Sequence, residues 1–431
     1  MVFTIAVLAL LALCLVTGNL LGTTVALIGL AVLQFGFHGN FSVIGNAIWN
    51  VVFNFTLTAI PVFLLLGALL DQTGLAKRMY SAISPLFERL PGKLLQTNIA
   101  TATIFSAISG SSTATTAIVA SVAYRQLVDR GYNQRAVVGS LGAGGTLGIL
   151  IPPSIALIIY GSWMEVSIGR LFIAGVLPGL LLSSMFMIFI GLRAKFVSGL
   201  VPEGGEIMPL ASALYRSREA WPFVILIFAV LGTIFLGLAT PTEAAALGVA
   251  TVALLAMLYR EFTLMRLWNA LRASVVTFST LVIILVGALI LGQAVALTGL
   301  PRQLVMLVGG SGLPPAAVIA LVYLTYIVLG CFVGPLEMML ITLPLTFPLV
   351  TGLGYDPVWF GIVLVIVSEI GLLTPPLGVN LFVMMSVTGG QMTLGETALA
   401  CLPYWLLMLV LLSLITFFPK IVLFLPNLIM G

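Results

Sequence analysis

Charge is scarce in this chain. Of 431 residues only 17 are Lys or Arg and 13 are Asp or Glu, 7% in all, where a soluble domain carries about a quarter. That scarcity excludes an ordinary soluble globule. The net charge of +4 is spread over a few loops and offers nucleic acid no continuous basic face. Histidine is nearly absent: His38 stands alone, so there is no HExxH run and no Cys/His cluster, and a phosphate-binding GKS run is also missing. The three cysteines, Cys14, Cys331 and Cys401, sit in apolar context without metal spacing, which excludes a disulfide framework and reads as packing. What fills the chain instead is apolar sequence, 61% of all residues, in continuous blocks from end to end. Continuous blocks of spanning length mean membrane helices, whereas a β-barrel would alternate in short segments. The opening "MVFTIAVLALLALCLVTG" has no basic region before its apolar run and reads as a first transmembrane helix, not a cleaved signal.

The fold class expected is therefore an all-α polytopic membrane protein. Spans are expected at 2–18, 20–36, 50–71, 134–161, 170–193, 221–239, 241–259, 273–297, 357–387 and 397–419. Two further apolar blocks carry a polar or broken centre: 95–125, with "SGSSTATT", and 313–350, with Gly334-Pro335. Each reads as a re-entrant hairpin of two half-length helices. Irregular backbone is tolerated at that depth only where protein buries it or water lines it. Two spans are also interrupted. The charge-free stretch Ala136–Met164 contains Pro152 and Pro153, and 357–387 contains Pro375 and Pro376. Proline has no N–H to donate and clashes with the preceding turn, so each pair breaks its helix.

These landmarks recur. "GILIPPS" at 148–154 matches "GLLTPPL" at 371–377, Gly110 matches Gly334, and "DQTGL" at 71–75 matches "ALTGL" at 296–300, at offsets of 223, 224 and 225. The chain thus reads as two repeats, 1–210 and 211–431, each with five spans, one hairpin and one broken helix. Five is odd, so the second half inserts upside down, the inverted repeat of secondary transporters. Loop charge orients it: of the 17 Lys and Arg only Arg170, Arg302 and Lys420 lie on the side of the termini. The positive-inside rule then puts both termini outside. Trp163, Trp221, Trp268 and Trp359 fall near span ends, where an aromatic belt is expected. The longest loop, 194–220, reads as a short amphipathic helix on the cytoplasmic surface.

Breaks expose free carbonyls at one helix end and free N–H groups at the other; the former coordinate small cations and the latter favour anions. Thr374-Pro375 and Gly334-Pro335 read as caps followed by proline at the first helical position, and Ser111 or Ser112 as the cap of the helix after the first tip. The same serines equally suit close helix packing. Three acids lie in spans without a basic residue. Glu337 and Glu243 fall near helix starts and read as caps. Glu369 is deepest, and two readings stay open for it: a buried acid holding helices together, or a cation or proton site.

The motifs "SAISGSSTATTAIV", "GGTLGILIPPSIALIIYG", "GLATPTEAAALGV" and "SEIGLLTPPLGVNLFVM" resemble, in wording, order and spacing, the large membrane subunit of tripartite ATP-independent periplasmic (TRAP) transporters. The resemblance covers nearly the whole chain. It implies a secondary transporter of the ion-transporter superfamily in a bacterial inner membrane, an elevator driven by a sodium gradient. The implied substrate is a small carboxylate such as a C4-dicarboxylate or a sialic acid. The implied partners are a soluble periplasmic binding protein and a separate small membrane subunit. Carried over by motif, cation sites would involve Ser109, Gly110, Ser111, Ser112, Thr113, Gly148 and Pro152 in one half. In the other half they would involve Gly330, Gly334, Gly371, Thr374 and Pro375. Ser112 and Asn380 would face substrate. Relatives often place an acid near the second tip, where this chain has Gly334 and then Glu337. A passive anion channel is the second reading of the broken helices. An intramembrane hydrolase is a third, for which the serines near Gly110 have no base in their own segment.

Overall fold

Water cannot satisfy backbone groups at membrane depth, so helices must satisfy their own. The computed structural model describes residues 21–36, 42–202, 208–310 and 312–430, and among these it is helical with no strand. The expected span 2–18, Cys14 and His38 lie outside the described residues. Seven described helices are long and apolar enough to cross a membrane. Among the shorter apolar helices, Pro315–Gly330 belongs to a hairpin and Pro357–Leu372 to a broken span.

The first half of the chain supplies α1 (Leu21–Gly36), α2 (Ala59–Gln72), α3 (Leu94–Ser109), α4 (Ser112–Asp129), α5 (Gln134–Gly145), α6 (Ile155–Trp163) and α7 (Ile168–Phe196). The second supplies α8 (Pro241–Leu258), α9 (Leu264–Leu297), α10 (Pro315–Gly330), α11 (Pro335–Gly352), α12 (Pro357–Leu372), α13 (Val379–Val387) and α14 (Leu394–Phe417). Both expected hairpins are present, α3–α4 and α10–α11. Both expected interruptions are present too, between α5 and α6 and between α12 and α13.

Helix starts follow local chemistry. Asn133, Ser154, Ser167, Thr263 and Asp356 each accept a backbone N–H from the first turn of the helix they precede. Thr240 with Glu243, and Thr393 with Glu396, form full capping boxes. Glu243 is a cap, as its sequence context indicates.

Two boundaries and one side chain differ from expectation. The span expected at 50–71 is present but starts at Phe55: a helix at Ser42–Val52 stops, Asn54 caps a short turn at Phe55–Thr58, and α2 continues it to Gln72. The Asn54 side chain holds the N–H groups of Thr56 and Leu57, which a continuous helix would need itself. The span expected at 273–297 begins nine residues earlier, at Leu264, because Thr263 rather than any apolar residue sets its start. Trp359 is no belt residue. It is fully buried, stacks on Tyr355 and donates its indole N–H to Ile415 O at 2.9 Å.

The most extensive packing between helices falls in two places. α9 packs most extensively on α1 and then on α2, while α8 also covers α2. Association inside a membrane rests on close van der Waals fit, since lipid tails are as apolar as leucine. Around the first hairpin the order interleaves: α5 packs on α3, α4 and on α14, and α13 packs on α4. Elements from the two ends of the sequence thus share one bundle. Cys331 and Cys401 are buried thiols, as expected. A helix at Leu210–Ser217 occupies the expected place in the linker, with Ala213 buried and Leu214 and Tyr215 exposed.

Candidate functional site

The first tip turns on a single glycine. α3 ends at Ser109, and Gly110 takes φ +64, a left-handed conformation open to glycine at no steric cost. Ser111 is extended and its hydroxyl accepts from Ala114 N, so Ser111 rather than Ser112 is the cap of α4. Ser109 Oγ pairs with Thr115 Oγ1 at 2.6 Å, and Ser111 Oγ with Thr113 Oγ1 at 3.2 Å. The second tip runs from Cys331 to Gly334, and α11 begins at Pro335 with Gly334 at its cap position, as the sequence suggests.

Each break reaches back to its own hairpin. Beyond Pro153, Ile155 N donates to Gly110 O at 3.3 Å; beyond Pro376, Leu377 N donates to Cys331 O at 3.0 Å. Glycines close the contact. Gly148 lies against the backbone of Ser111 and Ser112, and Gly330 and Gly371 face each other so closely that a Cβ on Gly330 would come 2.8 Å from Gly371 Cα. Pro152 is buried, whereas Pro375 is exposed.

Thr374 corrects an expectation. It is not the cap of a following helix: its N–H donates to Gly371 O and its hydroxyl to Ile370 O, so it closes α12. Two prolines follow without a donor between them, and α13 starts only after Gly378, at φ +33. The indole of Trp405 donates to Thr374 Oγ1 at 2.9 Å and anchors the turn.

Both tips and the ends of both broken helices line one cavity of about 450 Å³. Gly110, Ser111, Ser112 and Thr113 come from the first hairpin, Gly334 to Glu337 from the second, Ile149 and Ile155 from the first break, and Leu372 and Val379 from the second. A neighbouring cavity of about 440 Å³ shares Leu64, Ser111, Thr113 and Thr277 with it and contains Ser109 and Asp71. A fifth side of the cavity has no counterpart among the residues expected from the sequence. Thr277, Thr280 and Leu281 of α9 and Leu64 of α2 line the main cavity. The hydroxyls of "VVTFST" in an apolar span were the available signal.

Ser112 and Glu369 meet. The Ser112 hydroxyl donates to Glu369 Oε1, while Glu369 Oε2 has no hydrogen-bond partner among the described residues. Asn380 is fully buried and neither amide atom has a partner among them, yet it does not line the cavity. The Glu337 carboxylate folds over Gly334, so that no side chain fits there without displacing it.

A family model, the tripartite ATP-independent periplasmic transporter DctM component, matches residues 6–421. The chain belongs to the DctM family of TRAP transporter large permeases. Among DctM relatives, the C4-dicarboxylate TRAP transporter large permease protein of Pseudomonas aeruginosa is 37% identical over 375 residues, covering 87% of each chain. The sialic acid TRAP transporter large permease protein of Vibrio cholerae is 31% identical, covering 88% of each. In fold, the chain is similar to the solved YdaH transporter of Alcanivorax borkumensis, with a TM-score of 0.62 at 14% identity over 90% of both chains. A DctM-family chain is a transport permease of the membrane and not an enzyme.

Proposed function

We propose that the chain imports a small carboxylate by sodium-coupled secondary transport across a bacterial inner membrane, with both termini on the periplasmic side. A periplasmic binding protein delivers the substrate and a separate small membrane subunit completes the permease. One observation carries the reading: two hairpin tips and two broken helices, distant in sequence, line a single cavity. A carboxylate suits the start of α4, whose first residues Ser112 and Thr113 line the cavity. The printed names of relatives that carry C4-dicarboxylates or sialic acid support that class.

The oxygens near the tips fit a hard cation. Ser109, Ser111, Ser112 and Thr113 offer hydroxyls, and Gly148, Gly330, Gly371, Thr374 and Pro375 offer carbonyls where helices end or break. Bound sodium would supply positive charge beside the substrate carboxylate. The inverted halves 1–210 and 211–431 are supported by the paired bonds Ile155 to Gly110 and Leu377 to Cys331, which recur at sequence offsets close to those of the motifs. In an elevator, hairpins and broken helices travel together against a scaffold. The sequence suggests 2–36 and 221–259 for that scaffold, and the packing of α9 on α1 and α2 adds α9 to it.

Uptake into proteoliposomes tests the proposal. The chain and its small subunit are reconstituted with and without the binding protein, and with and without an inward sodium gradient. Uptake is expected to need both. Flux that needs neither and does not saturate would instead mean a passive anion channel.

A further inference from the structure

The cavities along α9 share a charge pattern. From one end of that helix to the other, Ala273, Ser274 and Thr277 line one cavity, Thr277, Thr280 and Leu281 the next, and Leu285, Leu289 and Gln293 a third of about 530 Å³. The first holds Asp71, the second Glu337 and the third Glu165. Among the described residues lining these three, none is Lys, Arg or His. None of the three acids takes part in the ion pairs found among the described residues, which join Arg78 and Arg266 to Glu261, Arg130 to Glu88, and Arg135 to Glu396.

A dianion moving along this wall would meet a carboxylate at each stage and, among the described residues that line it, no cationic side chain. Asp71 and Glu165 are exposed and screened by water, so the half-buried Glu337 of the tip cavity weighs most. A substrate with a positive group would be attracted at every stage. Its carboxylate would still find the start of α4, and the hydroxyls of Thr113, Thr277 and Thr280 stand round the same space.

We infer that the substrate is a zwitterion: a small carboxylate that also carries a cationic group, held with that group toward Glu337. The inference rests on the proposed reading of the tip cavity as the substrate site, and narrows it.

The test is a matched pair. Proteoliposomes holding the complete transporter are offered labelled γ-aminobutyrate and labelled succinate, which share a four-carbon frame, along with glycine betaine and lactate. Wild type is expected to take up the zwitterions at least about tenfold better than succinate. Glu337→Gln should bring that ratio close to one, and Glu337→Asp should keep it. Size-exclusion profiles and thermal unfolding of both variants check folding, and the ratio within each variant is independent of how much of it inserts. Succinate preferred by wild type, or a ratio unchanged in Glu337→Gln, overturns the inference and leaves carboxylate transport standing. A raised sodium requirement in that variant with the ratio unchanged does the same, and assigns Glu337 to the coupling ion. Uptake of no compound in the panel removes the cavity as a carboxylate site and the inference with it.

Discussion

The Ser112 hydroxyl donates to the Glu369 carboxylate, across 257 residues of sequence. One belongs to the first turn of α4, the other to the buried stretch of α12, so a single bond joins the first hairpin to the second broken helix. Glu369 is fully buried and its second oxygen has no hydrogen-bond partner among the described residues. Removing the donor leaves the whole carboxyl unsatisfied, a cost of about 1–3 kcal/mol. Ser112→Ala is therefore expected to unfold at lower temperature than wild type in detergent. Glu369→Gln, which keeps an oxygen acceptor for Ser112, should lose less. An unchanged midpoint for Ser112→Ala would mean that the bond contributes nothing.

Gly330 and Gly371 set a second limit. Backbone meets backbone there, and a methyl on either has no flexible neighbour to push aside. Gly330→Ala and Gly371→Ala should each separate α10 from α12, at about 1–3 kcal/mol, and abolish uptake. Gly395→Ala, in the first turn of α14 with nothing within 4 Å, should be neutral or slightly stabilising. Comparable losses at all three sites would show that the effect has nothing to do with the crossing.

Asn380 predicts a trade between stability and activity. A buried amide without partners costs about 1–3 kcal/mol, so Asn380→Leu should raise the unfolding midpoint. If the amide serves substrate or cation during transport, the same variant should lose uptake, whereas Arg125→Ala at the far end of α4 should keep it. A variant both stabilised and fully active would make Asn380 a mere flaw in packing.

The two capping boxes make a milder prediction. Thr240→Ala and Thr393→Ala remove the acceptor for Glu243 N and Glu396 N, at about 0.5–2 kcal/mol each. Both are exposed helix starts away from the cavity, so uptake should persist while the midpoint falls. Loss of transport at either would tie that end to the moving parts.

Much of this architecture can be read from the chain because its strongest signals are local. A proline pair breaks a helix wherever it stands, and Gly110 between serines marks a turn without help from elsewhere. Local signals also misled. Thr374 before a proline has the look of a cap, but the turn it closes is the preceding one, because its hydroxyl and N–H both find carbonyls behind them. Trp359 lies near a span end in sequence, which suggests the interface; Ile415 and Tyr355 instead hold it in the interior. The cavity was only half legible. Its tips announce themselves, but Thr277 and Thr280 are single hydroxyls in a mostly apolar span, and nothing local says which face of it they share with the tips. No spacing rule connects Ser112 with Glu369, which meet only because α4 and α12 do.

α9 is about 50 Å long at 1.5 Å per residue, more than the thickness of a hydrocarbon core. It walls all three cavities in turn, at Thr277, Leu281 and Leu289. That makes it a graduated scale inside the protein. Labels at those heights, each paired with one on the second tip, would give three distances whose ordering reports where along the membrane normal the tip stands. A shift in that ordering measures travel in ångströms without reference to either surface of the bilayer.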